Sequence, residues 1–196
     1  MVQWFIKLPT WELTRLLGLL SYMLLFAGVS VGIVYGMWWK RHKAQLYKVH
    51  SFLSVSGTAA ALLHTAILVI STYSPFPWSE LFIPFSASSN PVLNGIGTIA
   101  VYGLLLLILT TDLRNKLKKR LWHRIHLLAY PLWLLCLFHG LLLGTDTKLG
   151  AVKLMYAATA AVVVVLTGLR VKDGLTREKL PRGGAAEPYR NSRSAG

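Results

Sequence analysis

Residues 46–72 read LYKVHSFLSVSGTAAALLHTAILVIST, an apolar and small-residue stretch whose only formal charge is Lys48 and which encloses two histidines, His50 and His64. A helix rising 1.5 Å per residue needs about 20 such residues to cross a bilayer, and this stretch has them. Ligating or ionisable side chains are costly in hydrocarbon and are kept there for a task. His50 and His64 are 14 positions apart. That spacing gives about 21 Å of rise, and 14 steps of 100° return the second ring to within about 40° of the first. The two rings share one helix face near opposite membrane surfaces.

A second stretch answers the first. Residues 121–144 read LWHRIHLLAYPLWLLCLFHGLLLG, with His126 and His139 separated by 13 positions, close to 20 Å of rise. His50 follows Lys48 by two residues, and His126 follows Arg124 by two, so both enter the membrane at the same level. The matched rises then pair His50 with His126 at an inner level and His64 with His139 at an outer one. One feature resists: 13 steps of 100° leave His139 about 140° from His126 on an ideal helix. Pro131 lies between them and removes a backbone hydrogen bond, so a kink or rewinding there is expected to turn both rings toward the bundle.

Composition sets the class around these stretches. The chain is 54% hydrophobic and 14% charged, with a mean hydropathy of +0.51. Five spans are expected, at about 14–39, 46–72, 91–111, 121–144 and 150–169, giving an all-α membrane bundle. The net charge of +14 does not indicate nucleic acid, because 17 of the 21 Lys and Arg fall in the 40–48 and 114–124 segments and in the tail from Arg170 onward. By the positive-inside rule that bias places the N-terminus outside and the C-terminus in the cytoplasm of a multi-pass plasma membrane protein of bacterial type, with lipid as its surroundings. The first apolar run has a weakly charged start and no small-residue cleavage pattern, so it is read as a span and not a cleaved signal. Residues 174–196, with Pro181, Gly183, Gly184 and Pro188, read as a basic, disordered cytoplasmic tail. The 73–90 loop, rich in Pro, Phe, Trp and Ser, is expected against the outer membrane surface, covering the outer end of the bundle. The single cysteine, Cys136, permits neither a disulfide framework nor a Cys-based metal site and reads as a buried thiol.

Four histidines at matched depth on two co-oriented spans suit two haems, each held by one imidazole from each span. Bis-imidazole ligation leaves no open position for oxygen and passes single electrons. Gly28, Gly32 and Gly36 recur every four residues on one face, where a neighbouring helix or a flat macrocycle can approach closely. The small residues between His50 and His64 make similar room. Arg41, Lys48 and Arg124 lie at the inner edge, where propionates would emerge, although a solvated basic loop explains them as well. His42 and His123, in basic interfacial segments, are expected to be solvated.

On these residues, namely His50 and His64 with 13 between, then Leu121-Trp122-His123-Arg124-Ile125-His126-Leu127-Leu128-Ala129-Tyr130 followed by His139, the chain resembles the ferric reductase-like transmembrane domain. That family includes the haem core of ferric reductases, NADPH oxidases and the haem subunit of the bacterial methionine-sulfoxide repair system. The resemblance covers roughly residues 15–170, within a domain spanning 1–173. It implies two b-type haems, with His50 and His126 binding one iron and His64 and His139 the other, and electron transfer across the membrane. Many members have six spans with the histidines on the third and fifth; here they fall on the second and fourth. The last 27 residues contain no Gly-rich dinucleotide loop. Electrons must therefore come from a separate flavoprotein or quinol and pass to an outer acceptor such as ferric iron or a partner reductase. A flavin accompanies the haems in the repair-system subgroup, but no residues here place one. The competing readings are a haem-free transporter using the histidines as a relay, which lacks mid-span acids as partners, and a structural membrane-anchor subunit.

Overall fold

The computed structural model describes residues 9–37, 42–71 and 75–179, and every regular element among them is helical. Helix α1 spans Thr10–Met37, α2 Lys43–Ile70, α3 Trp78–Phe82, α4 Pro91–Asp112, α5 Lys119–His126, α6 Ala129–Leu143 and α7 Gly150–Lys179, with a short 3-10 turn at Thr145–Lys148 before α7. Five helical stretches, α1, α2, α4, α5 with α6, and α7, are long and apolar enough to cross a membrane. The first four lie within a few residues of the expected spans, the fifth begins where expected but runs ten residues beyond 169, and the chain is consistent with a multi-pass membrane protein.

Helix α1 packs most extensively along α2, α4 along α6, and α1 also touches α6 and α7. Small residues permit this. Ser21 donates to the Gly57 carbonyl across the α1–α2 seam at 2.9 Å, and a methyl on Gly57 would meet Leu25 at 2.9 Å. The core gathers Tyr22 and Ile33 of α1, Trp133 and Leu137 of α6, and Tyr156 and Val163 of α7. Tyr22 and Tyr156 rings are 4.7 Å apart, and the Tyr22 hydroxyl meets the Thr159 hydroxyl at 2.6 Å, so the buried Tyr22 hydroxyl is satisfied. Many large apolar side chains remain on the outside, among them Phe52, Leu109, Leu142 and Val164, as a lipid-facing surface requires.

The fourth span is broken, and the reason is local. Pro131 offers no N–H to the carbonyl four residues back, that of Leu127. That carbonyl accepts instead from Tyr130 N–H at 3.2 Å, and Leu128 N–H reaches the Ile125 carbonyl at 3.0 Å. Both are i to i−3 bonds, so the chain tightens into a 3-10-like turn at Leu127–Leu128 between α5 and α6. The distortion therefore lies three to four residues before the proline.

Helix α7 continues through Lys179, six residues into the stretch read as a tail. The remainder of that expected tail, 180–196, lies outside the described residues, as do Arg41, residue 72 of the second span and residues 73 and 74 of the following loop. Within the loop, Ser86 donates to the Ile83 carbonyl at 2.7 Å and Tyr102 of α4 donates to the Phe82 carbonyl at 2.6 Å, pinning α3 to the bundle. An ion pair between Arg15 and Asp146 ties α1 to the 3-10 turn at the same end.

Candidate di-histidine centres

The α2 histidines each face one histidine of the broken span. His50 and His126 have ring centroids 5.9 Å apart with planes at 72°, and His64 and His139 are 6.5 Å apart at 84°. The 3-10-like turn explains part of how a 13-residue spacing achieves this. Each tightened step turns about 120° instead of 100°, so each closes about 20° of the 140° mismatch. Redirection at the break accompanies it, and both rings end on the α2 side.

The second nitrogen of three of these rings is committed in the same way. His50 Nδ1 donates to the Gly28 carbonyl, His64 Nδ1 to the Thr14 carbonyl and His139 Nδ1 to the Leu93 carbonyl, each at 2.8 Å. A carbonyl can only accept, so Nδ1 carries the proton and Nε2 keeps its lone pair. This is the tautomer a metal-binding imidazole needs, oriented by its outer hydrogen bond.

A sequence rule sits behind the three bonds. In a helix, the side chain four residues on lies over the carbonyl it follows, because Cβ bonds tilt toward the N-terminus. Four residues after Thr14, Gly28 and Leu93 stand Gly18, Gly32 and Gly97. A methyl at Gly18 would meet the His64 ring at 3.1 Å, at Gly32 the His50 ring at 3.0 Å, and at Gly97 the His139 ring at 2.7 Å. Each glycine opens the slot through which a ring reaches its acceptor. Gly28 and Gly32 thus serve close approach to α2, with Gly28 itself against Ser54. Gly18 and Gly97 belong to the same set, although neither is marked by the four-residue glycine repeat.

His126 is the exception: its Nδ1 is buried without a partner, and its ring stacks on Trp122 at 5.1 Å and 21°.

The outer pair opens into a cavity of about 540 Å³ that reaches from His64 and His139 past Gly18 and Gly97 to Asn94 and the loop residues Trp78 and Phe82. The 73–90 loop thus borders the outer centre. Lys48 and Arg124 at the inner edge are exposed, as are His42 and His123. Arg170, read from sequence only as the start of the basic tail, is half-buried and turned toward the inner pair. Side-chain direction at a helix end is a tertiary property, and nothing in the linear pattern separates Arg170 from its basic neighbours.

Whether these residues fit a haem can be tested on their geometry. A nitrogen about 2.0–2.1 Å from a first-row metal, on a ring whose centre lies about 1.2 Å further back, puts two trans imidazole centroids about 6.4 Å apart. The observed 5.9 and 6.5 Å bracket that value. Among the described residues no group of three or more His, Cys, Asp and Glu converges. Two imidazoles suit the two axial positions of a macrocycle and are too few for a closed tetrahedral ion site. A scan of protein families, a search of curated proteins and a search of solved structures each find no match to this chain.

Proposed function

We propose that this chain is a di-haem b-type cytochrome of the ferric reductase-like kind, passing electrons across a bacterial plasma membrane with its N-terminus outside and its C-terminus cytoplasmic. The observation that carries the reading is the pair of facing imidazole couples at two levels, with three of the four Nδ1 atoms tied to carbonyls at 2.8 Å. His50 and His126 would hold the inner group, and His64 and His139 the outer one. A haem held by two imidazoles there would supply reversible one-electron transfer.

The chain's own residues do the rest. The carbonyls of Gly28, Thr14 and Leu93 fix the tautomer and aim of their rings, and Gly18, Gly32 and Gly97 let the rings approach the helix backbones. Between the two levels the rings of Tyr22, Trp133 and Tyr156 pack against one another. The donor is a separate flavoprotein or quinol at the inner side, and the acceptor is ferric iron or a partner reductase at the outer side, where the cavity opens.

The test is a reduced-minus-oxidised visible spectrum of the purified protein together with a pyridine-haem assay. Two low-spin b-type haems per chain are expected. Protein that remains haem-free when expressed with haem supplied overturns the proposal.

A further inference from the structure

Arg170 lies in the last helix, near its inner end, where a long cationic side chain ordinarily reaches out to water and headgroups. Here it turns the other way. Gly36 of α1 has no side chain, and a methyl there would lie 2.6 Å from Arg170 Cζ and 2.8 Å from its Nη2. The guanidinium fills the space that the glycine leaves. Gly36 is four residues beyond Gly32, against which the His50 ring rests, so the cation meets the same face of α1 about 6 Å further along. Its Nη1 is 3.5 Å from the Tyr130 hydroxyl, and Tyr130 lies one turn from His126 on the broken span.

This is a costly arrangement for a cation. Among the described residues the only salt bridge joins Arg15 to Asp146 at the other end of the bundle, so no carboxylate pairs with Arg170 there. A guanidinium has five N–H donors in a fixed fork suited to a carboxylate or phosphate. One long contact to a phenol uses at most one of them. A half-buried cation with donors to spare, aimed at a ligand site, calls for an anionic oxygen from that ligand.

We infer that Arg170, assisted by the Tyr130 hydroxyl, seats a carboxylate of the group held by His50 and His126. The inference rests on the haem reading above and names a residue for the inner propionate. The exposed Lys48 and Arg124 are not needed for it. Gly36 is part of the seat, because only glycine leaves the guanidinium its place.

The experiment measures haem release from the full chain in lipid nanodiscs to an excess of apomyoglobin, loaded either with haem or with its dimethyl ester, which lacks the carboxylates. Arg170→Gln should speed release of the inner haem by on the order of tenfold, the loss of a charge-assisted hydrogen bond. With the ester, wild type and variant should release alike. Gly36→Ala keeps the arginine but displaces it and should repeat the pattern from another helix, which covers the case in which Arg170→Gln does not fold. Arg170→Lys should fall between. Unchanged release of acid haem in the variants overturns the seat while leaving the cytochrome reading intact. Acceleration that is equal for acid and ester haem assigns the arginine to a lipid or flavin phosphate and also overturns it. A wild-type chain that takes up no haem overturns the underlying reading instead.

Discussion

Gly97→Ala tests the glycine slots most directly. The added methyl would stand 2.7 Å from His139 Cε1 and 2.8 Å from Nδ1, where ordinary contact begins near 3.4 Å. The ring must retreat by about 0.7 Å to relieve this overlap, and the neighbouring backbone of α4 is too well packed to share much of the movement. The Nδ1 bond to the Leu93 carbonyl, 2.8 Å in the native arrangement, then stretches to about 3.5 Å and ceases to orient the ring. Loss of such an outer partner weakens metal binding by roughly 10–100-fold. Alanine also gains about 0.8–1 kcal/mol over glycine in helix propensity, so the fold itself does not suffer in proportion. Gly32→Ala and Gly18→Ala, with first contacts at 3.0 and 3.1 Å, require about half that retreat and should show smaller losses. Gly168→Ala meets nothing within 4 Å and is the control, with haem content unchanged. The assay is haem release, resolved into two phases, alongside thermal unfolding of each variant. Wild-type release of the outer haem from Gly97→Ala would refute the slot argument, as would an equal loss from Gly168→Ala.

Three further variants address the frame around the centres. Pro131→Ala returns an N–H to the Leu127 carbonyl and allows α5 and α6 to join, so helical content should rise while at least one haem per chain is lost by the pyridine-haem assay. Tyr22→Phe removes a buried 2.6 Å hydrogen bond while Thr159 keeps its carbonyl partners, so unfolding should cost about 0.5–1.5 kcal/mol less with haem content unchanged, read by thermal melts. Asp146→Asn breaks the pair with Arg15 and should lower the unfolding temperature; because the Arg15 side chain is 38% exposed, that drop should shrink in about 1 M salt, where exposed charges are screened.

The spans and the pairing of the histidines by level were legible because hydropathy and helical rise are local properties, and all the spans but the last, whose helix runs ten residues long, begin and end within a few residues of the lengths read from sequence. The angular relation of His126 to His139 was not. It depends on which carbonyl loses its bond to a proline and how the freed groups pair again, and here Leu127 turns to Tyr130. A proline marks that a helix is disturbed, whereas the site of disturbance falls at the acceptor upstream. Arg170 was hidden for a different reason: its neighbours Lys172 and Arg177 have the same chemistry, and only the packing of α7 against α1 sends one of these cations to Gly36. Gly18 and Gly97 were also missed, since a lone glycine in an apolar helix has many uses until its partner ring is known.

Those glycines discriminate between the uses of an intramembrane histidine. A ring that serves only to join two helices needs one acceptor and has no reason to face a second imidazole. In three of the four rings here, the acceptor carbonyl, the glycine four residues on and the facing imidazole occur together. The three features have separate physical causes: tautomer selection, steric clearance and ligand number. A proton or ion relay would have to leave both nitrogens exchangeable, whereas Nδ1 is tied to a backbone carbonyl and cannot pass its proton on without breaking that bond. The fourth ring differs: His126 Nδ1 is buried without an acceptor, and the ring is held by stacking on Trp122. The His50–His126 pair therefore has one imidazole set by a hydrogen bond and one set by packing, and a group bound there would gain from the further hold proposed for Arg170.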